Sequence, residues 1–234
     1  MNNLAIIPAR GGSKRIPRKN IKDFLGKPII SYSIEAALNS ELFDEVMVST
    51  DDDEIAEVAI KYGAKVPFLR SKKNSDDYSG TGDVCLEVLE NYSKNGIIYE
   101  SCCCIYATAP LIQEHNLNLA YKLLLRSNFD TVLPICKFSS PIWRSFNLKK
   151  DSKLLIKNFP ENEVIKRSQD LEDSYFDAGQ FYWFTTNQFF HLSNKNIFGQ
   201  NRGAIILNDL EVQDIDNIID LEIAALKYKI IRKI

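Results

Sequence analysis

Short apolar runs alternate along this chain with longer stretches of helical period. Residues 4–7 are apolar and β-branched, which predicts a buried strand, and Pro8 with the Gly11-Gly12 pair ends it. Pro28 stands at a first helical position, and Ile30, Ile34, Ala37 and Leu38 then share one face of a helix over 29–38. A second strand is predicted at 45–50. Asp51, Asp52 and Asp53 follow it as cap and acidic first turn of a helix to Tyr62, which Gly63 terminates. Residues 65–69 read as a short extended segment. Thr81 opens a helix, 101–106 is a further β-like run, 114–126 a helix and 130–136 another strand. Strands alternating with helices of about 10–15 residues predict an α/β fold with a doubly wound, mostly parallel sheet.

From about 137 to 175 the pattern changes. Prolines, aromatics and charges mix without helical periodicity, which predicts a small β excursion from a single domain spanning 1–234. The aromatic run at 177–184 returns to the sheet. Near the end, Asp214-Ile215-Asp216 precedes a helix over about 217–230.

Composition narrows the classes of partner. A formal net charge of −2 lacks the broadly basic face that nucleic acid requires. No run of 18 apolar residues and no signal-peptide layout is present, so a cytoplasmic protein with no membrane partner is expected. The five cysteines match no zinc or disulfide spacing, and Cys102, Cys103 and Cys104 would alternate between the faces of one strand. They read as small buried hydrophobes. His115 and His191 have no motif context.

Against that acidic background one loop is strongly basic. Arg10, Lys14, Arg15, Arg18, Lys19 and Lys22 follow the first strand, around Gly11, Gly12 and Ser13. Glycines let backbone N–H groups approach an anion, cations neutralise it, and α/β folds place phosphates beyond the carboxyl end of a first strand. The spacing matches neither G-x-x-x-x-G-K-[ST] nor G-x-G-x-x-G, which excludes the P-loop and dinucleotide fingerprints. At the other end, a spacing of two puts Asp214 and Asp216 on one side of an extended segment, where two carboxylates suit Mg²⁺. Capping of the last helix is the alternative for Asp216.

The loop from Arg10 to Asn20, preceded by Ile-Pro-Ala, resembles the signature of the acylneuraminate cytidylyltransferases, which join CMP from CTP to a nine-carbon keto sugar acid. The resemblance runs from Ile6 to Tyr228. It implies a Rossmann-like nucleotidyltransferase fold, Mg²⁺ on Asp214 and Asp216, and a homodimer made through the 137–175 excursion. In that reading Arg10 and Lys14 act on the phosphates, with Gly11, Gly12, Ser13, Lys19 and Asn20 completing the loop. Asp51 matches a strand-end position of the nucleotide site, Arg70 a nucleotide-contacting arginine, and Thr108 a loop bordering the base. An exposed loop arginine is the alternative for Arg70. Tyr106 and Ala107 depart from the glutamine and proline of the sialic acid enzymes. Asp177, Gln180 and Tyr182 fall where the family lines its sugar pocket, and the arginine of the sialic acid enzymes is absent there. The stretch Asp-Ala-Gly-Gln-Phe-Tyr-Trp looks like the branch that activates pseudaminic acid for glycosylating bacterial surface proteins such as flagellin. The same reaction on N-acetylneuraminic or legionaminic acid, and nucleotide binding without turnover, are the alternatives.

Overall fold

The computed structural model describes residues 2–191 and 197–234. In chain order, strand β1 (Asn3–Pro8) leads into the basic loop, and β2 (Asp23–Phe24) with β3 (Lys27–Pro28) forms a two-residue hairpin ahead of helix α1 (Ile29–Asn39). Pro28 is the residue before the helix rather than its first member. Then come β4 (Glu45–Ser49), α2 (Asp53–Lys61), α3 (Thr81–Lys94), β5 (Ser101–Ile105), α4 (Glu114–Arg126) and β6 (Thr131–Lys137). The excursion contributes β7 (Phe146–Lys149), β8 (Leu154–Lys157) and the short α5 (Glu161–Val164). The chain returns as β9 (Tyr175–Asp177) and β10 (Phe181–Thr185), followed by α6 (Thr186–His191), β11 (Arg202–Leu207) and α7 (Ile218–Arg232).

The central sheet has the order β11-β6-β10-β5-β1-β4, with β9 also pairing β6. The pairs β1–β4, β1–β5 and β6–β11 are parallel; β10 runs antiparallel between β5 and β6. A doubly wound, mostly parallel sheet is thus present. Strand β11 lies outside the elements expected from the sequence. The expected extended segment at 65–69 is reduced to a single bridge, Met47 to Lys65.

Alternation along the strands sorts the core into two layers. Ala5, Ile7, Val48, Cys103 and Trp183 pack on one face with α1, α2 and α4; Leu4, Ile6, Cys102, Cys104 and Tyr182 pack on the other with α3 and α6. The cysteines therefore do alternate, and all five are buried and free.

A third, smaller cluster decides where the chain's ends lie. Ile16 of the basic loop and Ile215 before α7 are both fully buried, together with Phe24, Ile29, Tyr32 and Ala224. Burial of those two isoleucines fastens the C-terminal segment against the N-terminal loop, 199 positions away in sequence (215 − 16).

Candidate active site

From β1 the chain crosses first to β4 on one side and later to β5 on the other, so the carboxyl ends of β1 and β5 part around a crevice. Ligands of open α/β sheets bind at such a reversal. A cavity of about 540 Å³ opens there, bounded by Pro8 at the end of β1 and by Tyr106, Ala107 and Thr108 after β5.

The basic loop supplies its charged wall. Arg10, Ser13, Lys14, Arg15, Lys19 and Asn20 all face the cavity. Asn20 is buried, and its Nδ2 donates to the Arg10 carbonyl (2.9 Å), which closes the loop on itself. Gly11 donates its N–H to Asp51 Oδ1 at 2.9 Å, and a Cβ on it would stand 2.6 Å from Asp52 Oδ2. Glycine is required at Gly11 by that close approach, whereas Gly12 has open space around it. Asp51 thus holds the loop rather than lining the cavity. Asp52 is the N-cap of α2, accepting from the Ile55 N–H at 3.0 Å.

Arg70 is buried rather than exposed, which removes the alternative of a free loop arginine. Its Nε donates to Ser49 Oγ at 3.0 Å and its Nη2 to the Ser49 carbonyl, at the end of β4. Burial pulls its guanidinium below the ordinary value, while Asp51 and Glu87 oppose that shift. The group is a fixed cation at the cavity wall.

The C-terminal aspartates meet the loop from the side of α7. Lys19 Nζ donates to the Ile215 carbonyl at 2.6 Å, and Arg15 Nη1 lies 2.6 Å from Asp216 Oδ2. Burial lowers the Lys19 ammonium, against the opposing charges of Asp216 and Asp214. Asp216 is not the cap of α7. Asn217 takes that role, accepting from the Asp220 N–H at 3.1 Å, and Asp220 in turn accepts from the Asp216 N–H. The fully buried Ile215 between two more accessible aspartates is the alternation that spacing of two requires. Burial, and then the charge of Asp216, push the Asp214 carboxyl above its ordinary value. Two like charges in that relation favour a cation. Among the described residues no three His, Cys, Asp or Glu side chains gather as a metal group. Two carboxylates are fewer than a protein cage provides, and they match in type a hard ion that keeps its waters.

The residues expected at the sugar end lie apart from the charged wall. Tyr182 donates to Asp177 Oδ2 at 2.8 Å, and Asp177 Oδ1 accepts from the Gly179 N–H at 2.9 Å. Gly179, at φ +63°, makes the bend between β9 and β10. Gln180 precedes β10 and is buried, its Nε2 donating to the Glu211 carbonyl and its Oε1 left without a partner. None of Asp177, Gln180 and Tyr182 lines this cavity. Tyr106 does line it, with its ring 5.3 Å from that of Tyr182 and its hydroxyl 3.4 Å from Thr81 Oγ1. Burial raises the Tyr106 phenol, which stays protonated at neutral pH.

Asp77 is the charged residue of the cavity that the sequence does not announce, and Ser79, Thr81 and Val84 line it beside Asp77. Asp77 pairs with both Arg10 (2.7 Å) and Lys14. It belongs to a polar run, 71–79, in which no spacing or periodicity distinguishes one aspartate from another.

A basic loop lines the cavity at the switch point of a mixed α/β sheet, and the Asp214–Asp216 segment, which does not itself line that cavity, is tied to the loop through Lys19 and Arg15. Residues 4–233 match the family described as cytidylyltransferase, and the chain belongs to that family. It is 48% identical over 98% of its length to the pseudaminic acid cytidylyltransferase of Campylobacter jejuni subsp. jejuni, covering 97% of that protein. It is 32% identical over 94% of its length to the CMP-N,N′-diacetyllegionaminic acid synthase of Legionella pneumophila subsp. pneumophila, covering 93%. Among solved structures, a CMP:2-keto-3-deoxy-manno-octonic acid synthetase complexed with CTP shares the fold, with a TM-score of 0.70, 15% identity and full coverage of both chains.

Proposed function

We propose that this cytidylyltransferase transfers CMP from CTP to the anomeric hydroxyl of pseudaminic acid and releases pyrophosphate. The observation that supports the reading is a cavity lined by Arg10, Lys14 and Lys19, with Lys19 and Arg15 also tying the loop to the Asp214–Asp216 segment beside it. A triphosphate cannot be held or attacked without compensation of its charge, and such transfers depend mainly on positioning and on stabilising phosphate oxygens. Arg10 and Lys14 bind the phosphates, the Gly11–Ser13 turn lets the backbone approach them, and Arg70 and Thr108 border the nucleoside side. Asp214 and Asp216 would hold Mg²⁺, which would supply neutralisation of phosphate charge. The sugar hydroxyl attacks the α-phosphorus in line and gives up its proton to water as the bond to pyrophosphate breaks, and the cations of the basic loop stabilise the charge passing to the leaving group.

The choice of sugar rests on the 48% relative acting on pseudaminic acid, against 32% for the legionaminic acid synthase. The tyrosines are chemically consistent with it. Tyr106, which lines the cavity and packs near Tyr182, is a neutral side chain where the sialic acid enzymes carry a glutamine. We also assign the β7–β8 excursion to a homodimer interface, since all eight of its strand residues are exposed (four in each strand).

Parallel turnover assays with CTP and each of three sugar acids test the assignment. Pseudaminic acid should be turned over at a kcat/KM at least about tenfold above N-acetylneuraminic and legionaminic acids, a difference of one good hydrogen bond. Equal turnover of all three, or preference for another, contradicts it. Absence of pyrophosphate release with every sugar acid contradicts catalysis altogether.

A further inference from the structure

The two cations assigned to the CTP phosphates are already engaged. Arg10 Nη1 donates to Asp77 Oδ1 at 2.7 Å and to the Asp76 carbonyl at 2.8 Å, while Lys14 Nζ donates to Asp77 Oδ2. One carboxylate thus spans both cations with its two oxygens, as two non-bridging phosphate oxygens would. Those contacts, Lys14 first and Arg10 second, hold the Asp77 carboxyl below its ordinary value, so it is fully charged at neutral pH.

The surrounding loop does not depend on Asp77 for its shape. Asp76 Oδ1 accepts from the Tyr78 N–H (3.0 Å), the Ser79 N–H (2.8 Å) and the Ser79 hydroxyl (2.7 Å), which folds the turn. Glu87 on α3 accepts from the Ser71 N–H (2.7 Å), the Ser71 hydroxyl (2.8 Å) and Asn74, anchoring the start of the loop. Asp77 contributes only its carboxylate, directed into the cavity.

We propose that Asp77 is a built-in competitor for the polyphosphate, occupying Arg10 and Lys14 in the free enzyme and displaced from them by the nucleotide. The inference rests on the assignment of this cavity to CTP. Two anions cannot share the same two cations without repulsion, so phosphate binding requires the carboxylate to swing away. The device keeps two cations paired while the site is empty. It also sets a selectivity: a ligand must bring enough negative charge to replace a bridging carboxylate, which favours polyphosphates over monophosphates. When pyrophosphate departs, Asp77 can take its place and oppose its return.

Titration with inorganic pyrophosphate, in the absence of sugar, reads this directly. The full chain is compared with Asp77→Asn, Asp77→Glu and Lys14→Ala. Asp77→Asn should bind pyrophosphate about two- to fivefold more tightly, the scale of an exposed ion pair, and be inhibited by it more strongly during turnover. Asp77→Glu, which keeps the charge, should resemble the wild type, and Lys14→Ala should bind weakly. A merely structural tie predicts the opposite sign: if Asp77→Asn binds pyrophosphate equally or more weakly while the wild type and Lys14→Ala behave as stated, competition is overturned and the phosphate assignment stands. If none of the four proteins binds pyrophosphate, the phosphate assignment falls and the competition with it.

Discussion

At the scale of single residues, the basic loop is held by contacts that sequence patterns do not display. Arg18 adopts a left-handed backbone (φ +56°), which costs a non-glycine residue about 1 kcal/mol or more. Its guanidinium compensates by pairing with Asp52 and Glu54 on the first turn of α2. Asp52 therefore joins three structures: it caps α2, it fastens Arg18, and it leaves room only for a glycine at Gly11. The hydrogen bond from Arg18 holds the Asp52 carboxyl below its ordinary value. A depressed folded-state pKa adds stability that is present at neutral pH and is lost as pH falls through that depressed value. Asp52→Asn retains the cap, since Asn caps about as well as Asp, and removes only the ion pair. The variant should be less stable than wild type by roughly 1 kcal/mol at pH 7, measured by urea unfolding, with the gap narrowing as pH falls below the ordinary carboxylate range. A gap that stays constant over that range would mean the carboxylate charge is not what holds Arg18.

At the scale of elements, the β7–β8 hairpin is the segment whose chemistry and exposure disagree. Leu148 pairs with Leu155 across the hairpin, and Phe146, two residues from Leu148, shares their face. Leu148 is 58% exposed and Leu155 59% exposed, so the face has no cover within its own chain. An isolated two-stranded hairpin is marginal in water, and a second copy of the chain would bury this one. The double variant Leu148→Glu/Leu155→Glu should sediment as a monomer with an unchanged far-ultraviolet spectrum, while the wild type sediments as a dimer. A wild-type monomer, or a variant that remains dimeric, removes the hairpin from any interface. Elements were legible from the sequence wherever period and punctuation agreed. The helices α2, α3 and α7 combine an apolar stripe with a cap or a glycine stop, while α1 and α4 were legible from their apolar stripes alone. Strand β11 was not legible, because Arg202-Gly203 interrupts its short apolar run, and the fit of Gly203 against Phe129 is a tertiary matter. The reversed direction of β10 was equally hidden: alternation reports which face a side chain takes and is silent about strand direction.

At the scale of the molecule, the site exists because the chain's two ends are fastened together. Ile16 and Ile215 share one buried cluster, and the contacts from Lys19 to Ile215 and from Arg15 to Asp216 run along its rim. The sequence displayed both halves of this site, the basic loop and the aspartate pair, because each is a local pattern of charge and spacing. What it withheld was everything set by distant packing. Arg70 is fixed by Ser49 at the end of β4, Gln180 is tied to Glu211, and Asp77 occupies the phosphate cations. None of these pairs shares a sequence neighbourhood, so no period or motif could announce them. The proposed activity requires the two ends to act as one site on a metal-bound triphosphate. Pyrophosphate release by wild type and Asp216→Asn, with CTP and pseudaminic acid across a Mg²⁺ titration, tests it most directly. Asn217 caps α7, so the substitution leaves the helix start intact while removing one charge from the pair. The account predicts a folded variant that loses most of its activity at ordinary Mg²⁺ and regains part of it only at much higher concentrations. Turnover indistinguishable from wild type at every Mg²⁺ concentration would contradict it.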